Sequence, residues 1–488
     1  MEMAGISRVT ELNITCHGVD LCPHRLHCFA GEIDGWRRTW KLYLPEHYDQ
    51  MGKRPLIASL HGGDYQTMHE YAAWHLLAER ENIIILYPES LVNGVGWNCW
   101  DALSAADGRA DDVAYLDQLL EYVIENYPVD ESRVYMHGQS MGDMMATYYA
   151  FCHPERLAGV APFSGPTKTR WFMRSDGTMM FTPSAPLPVI RMHGECDNFQ
   201  LSGLTEDWAR LRKRQCHIEI NNNLWKTVNR CAELPLISTT EQRNVERYTG
   251  KDGADLIFVA TPNGQHRPPA DFIEDIWRNL VCCWRRENGR LIRLPDSNAW
   301  QPDHGGVALF EGSGRAYVDH CLKEPMGCLP AETGEDGILR FDIRMLPELL
   351  PAVSHVMLRS DKIRIRTSME TIDIFPQSAL ALRAGSFSAM KPLVPKAGTC
   401  MVPFGDMMRL FGMCAHTAYG AGYAVGHHFS LTYDLCHTIG TILGRIAQPD
   451  NATIYAQEAE IYAAQCAEKQ FAAPRNRLEE IWQWCHTV

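Results

Sequence analysis

Gly138-Gln139-Ser140-Met141-Gly142 puts a serine between two glycines, after the strand-like run Arg133-Val134-Tyr135-Met136 and ahead of the helix-like run Met144 to Ala150. A strand, a G-x-S-x-G turn and a helix hold a serine hydroxyl out at a sharp bend, where it can act as a nucleophile once a base takes its proton. The flanking glycines let the chain turn tightly and let the helix approach the strand closely. Such chemistry also needs a base, a group to orient the base, and N–H donors for the oxyanion.

Candidates for all three follow apolar runs of the same kind. Asp197, in His193-Gly194-Glu195-Cys196-Asp197, comes just after Val189 to Met192, and its carboxylate can accept an imidazole Nδ1–H. Glu195 is its rival, and Asp197 can also be read as a turn residue. His266 sits in the polar loop Pro262-Asn263-Gly264-Gln265-His266-Arg267-Pro268-Pro269, which can carry an imidazole to the rim above Ser140. With 20 histidines in the chain, its loop, its order and the helix that follows are what single it out. The oxyanion donors are read at Gly62 and Gly63, in His61-Gly62-Gly63-Asp64, together with the N–H of Met141. A tight strand-to-loop turn would give the same glycines. Trp97 and Trp100, in Trp97-Asn98-Cys99-Trp100-Asp101, could stack a flat or aromatic acyl group, or simply pack the loop. Asp143 falls in the first turn of the helix after Ser140, where a carboxylate suits the helix N-terminus and could also shape an acyl pocket.

The elements that must position these groups alternate between strand and helix from about residue 25 to 286. Trp40 to Pro45, Pro55 to Leu60, Ile83 to Tyr87, Val134 to Met136, Leu157 to Ala161, Pro188 to Met192 and Leu256 to Val259 read as strands, several apolar enough to be buried on both faces. Asp111 to Asn126 reads as an amphipathic helix with Val113, Leu116, Leu119, Leu120 and Val123 on one face, and a closing helix is expected from about Phe272 to Arg285. Strands alternating with helices predict an α/β fold with a mostly parallel sheet.

With those pieces in place, residues 25–286 resemble the polyhydroxybutyrate-depolymerase-like and feruloyl-esterase-like branch of the α/β-hydrolases. The resemblance rests on Leu60-His61-Gly62-Gly63, Asp111 to Leu116, Tyr127-Pro128-Val129-Asp130, Arg133-Val134-Tyr135, the turn at Ser140, Pro154 to Pro162, His193 to Asp197, and His266. The order Ser, Asp, His is that of the α/β-hydrolases. The resemblance implies hydrolysis of a carboxylic ester through an acyl-enzyme, with no metal or organic cofactor. Relatives carry a His-Thr-Trp-Pro-like segment where this chain has His266-Arg267-Pro268-Pro269, and they differ around the elbow, where it has Met141 and Asp143. Many relatives are secreted and disulfide-bonded.

The expectation is therefore a serine esterase for a small or aromatic acyl ester, with a biosynthetic setting hinted at by the long appendage. A thioesterase or acyltransferase would use the same triad. A non-catalytic scaffold on a hydrolase fold is the reading from another class, and four intact catalytic elements argue against it.

At 488 residues the chain is too long for one ordinary core. The expected division is an N-terminal extension (1–24), the catalytic region (25–286), a linker (287–320) and a C-terminal α+β domain of unclear type (321–488). Within the last, Ile338 to Ile343 and Lys362 to Arg366 alternate like strands, the small-residue run 418–426 reads as a close helix contact, and Asn451 to His486 reads as a helical tail. A lid over Ser140, an interaction or dimerisation module making a homo-oligomer, and a degenerate flavoprotein-like remnant are the readings open to this domain. The last rests on Gly405-Asp406-Met407-Met408 with Gly420, Gly422 and Gly426, but the chain has no G-x-G-x-x-G after a strand, so no flavin is expected. His416, His427 and His428 lack a carboxylate or cysteine at ligand spacing and are read as packing or surface residues.

A net charge of −13 with no contiguous basic segment disfavours nucleic acid and anionic membrane as partners. No apolar run of about 18 residues predicts a membrane span. The first residues show no basic-then-apolar leader, so a cytoplasmic location is expected and the 17 cysteines are read as thiols.

Overall fold

The computed structural model describes residues 6–12, 25–50, 52–63, 71–91, 97–98, 110–165, 183–197, 207–269, 271–295 and 299–447. Trp100 and the expected tail helix at 451–486 lie outside the described residues.

The N-terminal half is organised by an 11-stranded sheet in the order β1-β2-β3-β5-β4-β6-β7-β8-β11-β10-β9. Its strands are β1 (Ser7–Leu12), β2 (Leu26–Ile33), β3 (Trp36–Tyr43), β4 (Arg54–Leu60), β5 (Ile84–Pro88), β6 (Val129–Gln139), β7 (Gly159–Phe163), β8 (Val189–Gly194), β9 (Leu236–Thr239), β10 (Asn244–Tyr248) and β11 (Leu256–Thr261). The central strands β5, β4, β6, β7, β8 and β11 run parallel. Antiparallel strands extend both edges, and β1 within the expected N-terminal extension is one of them.

Period-two alternation builds a core on each face. Leu56, Ala58 and Leu60 of β4 pack on one face with α2 (Asp112–Asn126), α3 (Met141–Cys152) and part of α4 (Asp207–Val228). Ile57 of the same strand joins Tyr135, Ile190 and Val259 on the other, under α1 (Tyr71–Glu81) and α5 (Phe272–Ile276). The α2 helix begins where expected, with the Asp111 carboxylate accepting the N–H groups of Val113 and Ala114.

The closing helix is shorter than the sequence predicts. A π-helical turn (Trp277–Val281) follows α5, and then Trp284–Glu287 forms β12 in a hairpin with β13 (Arg290–Arg293). Side-chain anchoring explains the break. The Trp284 ring is buried, and the Arg286 guanidinium donates to the carbonyls of Leu157 at 2.7 Å and Pro186 at 2.7 Å.

The C-terminal region is assembled from smaller antiparallel sheets. One has the order β16-β15-β14-β27-β26, from β14 (Val307–Phe310), β15 (Ala316–Val318), β16 (Cys321–Lys323), β26 (Cys414–Ala418) and β27 (Ala421–Val425). Two of its strands thus come from the stretch 287–320, and Val307 and Leu309 are fully buried. A second sheet joins β17 (Glu332–Thr333), β18 (Leu339–Asp342), β24 (Val394–Lys396) and β25 (Thr399–Pro403). The third is a meander of β19 (Val353–Leu358), β20 (Ile363–Thr367), β21 (Thr371–Phe375), β22 (Leu380–Arg383) and β23 (Ser386–Ala389). Short helices α6 (Leu346–Leu349), α7 (Phe404–Leu410) and α8 (Tyr433–Ile442) complete it.

The run 418–426 is a strand hairpin, not a helix contact. Tyr419 (φ 51°) and Gly420 (φ 79°) form the two-residue turn, and Ala418 pairs with Ala421. Its small residues do serve close packing: a Cβ on Gly422 would come within 2.8 Å of Leu339 and Phe404. Gly405 to Met408 lie within α7, where Asp406 pairs with Arg409.

Candidate active site

Ser140 stands between the end of β6 and the start of α3 with φ 55° and ψ −113°, a conformation that side-chain-bearing residues rarely adopt. The surrounding contacts hold that strain in place. The Ser140 N–H donates to Phe163 O at 2.8 Å, and its carbonyl accepts the Met144 N–H at 3.2 Å. The flanking glycines are required by contact: a Cβ on Gly138 would lie 2.1 Å from Gly142 O, and one on Gly142 would lie 2.2 Å from Leu60 O. The serine is buried but for a small opening.

Strands β8 and β11 lie side by side, with Ala260 opposite His193 and Thr261 opposite Gly194. The turns that follow are stitched together by Glu195 N–H to Thr261 O at 3.1 Å and Cys196 N–H to Gly264 O at 2.7 Å. This brings His266 Nδ1 to 3.0 and 3.1 Å from the two Asp197 carboxylate oxygens. A carboxylate only accepts, so Nδ1 carries the hydrogen, and in the neutral ring the lone pair is on Nε2. Asp197 is fully buried while the His266 side chain is 16% exposed, so the imidazole reaches outward from a fixed carboxylate. Gln139, next before the serine, donates from Nε2 to His266 O at 3.2 Å and ties the base loop to the elbow.

One neighbour of this pair, His193, was not singled out in the sequence. Buried His193 places Nε2 3.5 Å from Asp197 Oδ2. Glu195 turns away from the imidazole, and its carboxylate accepts the N–H of Tyr433 at 2.8 Å and of Asn263 at 3.4 Å. Asp197 is therefore the carboxylate that faces His266, and Glu195 looks toward α8.

The loop after β4 folds over the elbow. A Cβ on Gly62 would come 3.2 Å from Ser140 Cβ, and one on Gly63 would come 3.8 Å from Met141 Sδ. His61 is locked behind it: Nδ1–H donates to Gly62 O at 2.7 Å, and Nε2 accepts the Ser90 N–H at 3.1 Å. Burial holds its pKa below the ordinary histidine value, so it stays neutral. Trp97 is fully buried and donates its indole N–H to His61 O at 2.8 Å. That placement makes it a support for the Gly62–Gly63 loop, not an exposed wall for an acyl group. Asn98 beside it is held by its N–H to Asp112 Oδ2 at 2.6 Å.

Asp143, in the first turn of α3, accepts the Gly165 N–H at 2.6 Å and the Thr147 hydroxyl at 3.1 Å. Burial raises its pKa to about 6, opposed by the charge of Arg191. Arg191 is itself fully buried, which lowers its pKa, and it donates to Gly165 O at 3.1 Å. The favourable field at Arg191 comes from Asp143 and from Asp434 of α8.

A separate cavity of about 580 Å³ lies between α4, β10 and α8, lined among others by Glu219, Lys226, Glu246 and His437, and not by Ser140, Asp197 or His266. Among the described residues no cluster of His, Cys, Asp and Glu could hold a metal ion, and no helix is long and apolar enough to cross a membrane. His427 and His428 are occupied otherwise: the first contacts Thr239 O at 2.8 Å, the second Cys414 Sγ at 3.5 Å.

Residues 31–269 match the family described as putative esterase. A bifunctional acetylxylan esterase/xylanase from Neocallimastix patriciarum is 31% identical over 236 residues, covering 47% of this chain and 31% of that protein. Feruloyl esterase B from Talaromyces funiculosus is 31% identical over 134 residues, 25% of this chain and 35% of that protein. Poly(3-hydroxyalkanoate) depolymerase C from Paucimonas lemoignei is 29% identical over 131 residues, 26% and 31% of the two chains. The chain thus spans about a third of the length of these curated relatives. Among solved structures, an acetyl xylan esterase from Aspergillus awamori aligns over 55% of this chain and 98% of its own, with 16% identity and a TM-score of 0.35.

Proposed function

Residues 31–269 belong to the esterase family of α/β-hydrolases, in the branch of the feruloyl esterases and polyhydroxyalkanoate depolymerases, and from that premise we propose that this chain hydrolyses carboxylic esters through an acyl-enzyme on Ser140. The observation that carries the reading is the Asp197–His266 pair at the adjacent ends of β8 and β11, whose loop is tied to the strained serine turn by Gln139 Nε2 donating to His266 O at 3.2 Å.

The Ser140 hydroxyl attacks the ester carbonyl while His266 Nε2 takes its proton, and Asp197 stabilises the imidazolium so formed. The tetrahedral oxyanion is held by N–H groups of Met141 and the Gly62–Gly63 loop. Collapse breaks the acyl–alkoxy bond, and His266 returns the proton to the departing alcohol. Water then attacks the acyl-enzyme with His266 again as base, releasing the acid and restoring the serine. The acyl group is a small or aromatic one, in keeping with relatives named for acetylxylan and feruloyl esters. Since Trp97 is buried, an aromatic acyl group would be held by other residues of the rim. A thioester, or an alcohol acceptor in place of water, would use the same groups.

The test is intact-mass labelling with a fluorophosphonate in the wild type and Ser140→Ala, beside p-nitrophenyl acetate, a feruloyl ester and an acyl thioester. A single adduct lost in the variant, with ester turnover lost alongside, is the expected result. A wild type that neither labels nor turns over any of the three would sink the reading.

A further inference from the structure

Among the described residues, the Glu195 side chain joins the turn before Asp197 and the loop that carries His266 to the C-terminal region. Its backbone N–H is held by Thr261 O at 3.1 Å, two residues before Asp197 in the chain. Its carboxylate accepts the N–H of Asn263, in the loop that carries His266, at 3.4 Å, and the N–H of Tyr433, first residue of α8, at 2.8 Å. A carboxylate at the first turn of a 10-residue helix gains from the helix dipole as well as from the hydrogen bond.

The helix end that receives it is itself fixed to the catalytic sheet. Thr432 caps α8, its Oγ1 accepting the Leu435 N–H at 3.2 Å, while its own N–H and hydroxyl both donate to Asn244 Oδ1 of β10, at 2.9 and 2.8 Å. Asn244 closes the ring by donating to Ser430 O at 2.7 Å. Asp434, next along α8, is buried and contributes to the field at Arg191, on the strand that leads to Asp197. Asn244, Thr432, Tyr433 and Asp434 are buried and Glu195 is half-buried, and their hydrogen bonds form a network in which each bond restricts the others.

We propose that Glu195 is a positioning residue of the esterase site, clipping the Asp197 turn and the His266 loop to the N-terminus of α8, so that residues 430–434 of the C-terminal region hold the acid–base pair in register with Ser140. The proposal rests on the esterase reading above. The clip sets geometry at the reacting atoms and leaves ground-state binding of the ester unaffected. Its loss therefore appears in kcat rather than KM. Misplacement of catalytic groups by about 1 Å can cost up to about 100-fold in rate.

The experiment compares the wild type with Glu195→Ala, Glu195→Gln and Thr432→Val, measuring kcat, KM, the fluorophosphonate labelling rate and Tm. Glu195→Ala is expected to lower kcat and the labelling rate about 10- to 100-fold at unchanged KM. Glu195→Gln keeps one carbonyl acceptor for the Tyr433 N–H but sets an NH2 against the Asn263 N–H, so it is expected to fall between Glu195→Ala and wild type. Thr432→Val, which touches no catalytic loop, is expected to fall in the same direction by a smaller factor, and it serves should Glu195→Ala fail to fold. A lower Tm with wild-type kcat and labelling rate in Glu195→Ala and Thr432→Val would overturn the proposal. So would a Gln variant as impaired as Ala, since the retained Tyr433 bond to α8 would then contribute nothing. Absence of any Ser140 label in the wild type would instead strike at the esterase reading itself.

Discussion

The N-terminal sheet and the C-terminal sheets differ in where they deliver the ends of their strands. Parallel β4, β6, β8 and β11 all finish on one edge, and each is followed there by one part of the site: His61 to Gly63, Ser140, Asp197 and His266. In the antiparallel meander β19 to β23, successive strands finish on opposite edges, and one face is exposed, as the pattern along β20 and the fully exposed β23 show. Parallel topology concentrates loops at one edge, which is why α/β folds place their ligands there. Antiparallel hairpins disperse them. The C-terminal region is accordingly a source of buried packing and of a few long-range contacts, with α8 as its point of entry into the site.

That contrast can be broken most forcefully at Asp197. Asp197→Asn is expected to lower kcat about 10⁴-fold through the wrong imidazole tautomer, with Tm close to wild type. A residual activity within tenfold of wild type would remove Asp197 from its role. In the other region, Ile365→Ala empties a fully buried position of β20 and is expected to cost about 2–5 kcal/mol of stability in chemical denaturation. The kcat of the folded fraction should stay as in wild type, and a fall in step with stability would erase the division between the regions. Gly62→Ala puts a Cβ against Ser140 Cβ and Gln139 O and is expected to reduce kcat by up to about 100-fold with little change in unfolding.

The smallest effect sharpens the comparison at the seam. Burial raises the Glu246 carboxyl from 4.5 to about 7 in the folded chain, beside the cavity that α8 closes. The folded state then holds a proton that the unfolded state has released, so this stabilising contribution is complete below about pH 4.5 and is lost as pH rises toward about 7. Glu246→Gln should flatten the fall in Tm between pH 5 and 7. Asp143, raised to about 6, has the same sign and leaves part of the slope. An unchanged slope in the variant would mean that Glu246 is ionised throughout that range.

Much of this molecule was legible in one dimension. Apolar runs of four to six residues marked β4, β5, β7, β8 and β11, because a strand buried on both faces has no polar alternation to confuse it with a loop. The glycines around Ser140 marked the elbow because only they fit between β6, α3 and the β4 carbonyl. Order along the chain picked Asp197 and His266 from many carboxylates and histidines.

What stayed illegible depended on partners far off in sequence. Trp97 became a support because the His61 carbonyl lies 36 residues upstream, a contact that no local pattern encodes. The small-residue run at 418–426 declared close packing but not the element, since Leu339 and Phe404 decide what approaches it. Glu195 and Asp197 were chemically equivalent on paper, and a turn fixed by Thr261 and Gly264 aimed one at His266 and the other at Tyr433, 238 residues away. The sequence by itself determined the turn at Ser140, the strands that carry the candidate site and the order of its parts, because sterics and burial act on neighbours. Only the tertiary structure decided which carboxylate meets the imidazole and how the C-terminal helix joins them, because those bonds form where distant segments are brought to one edge of the sheet.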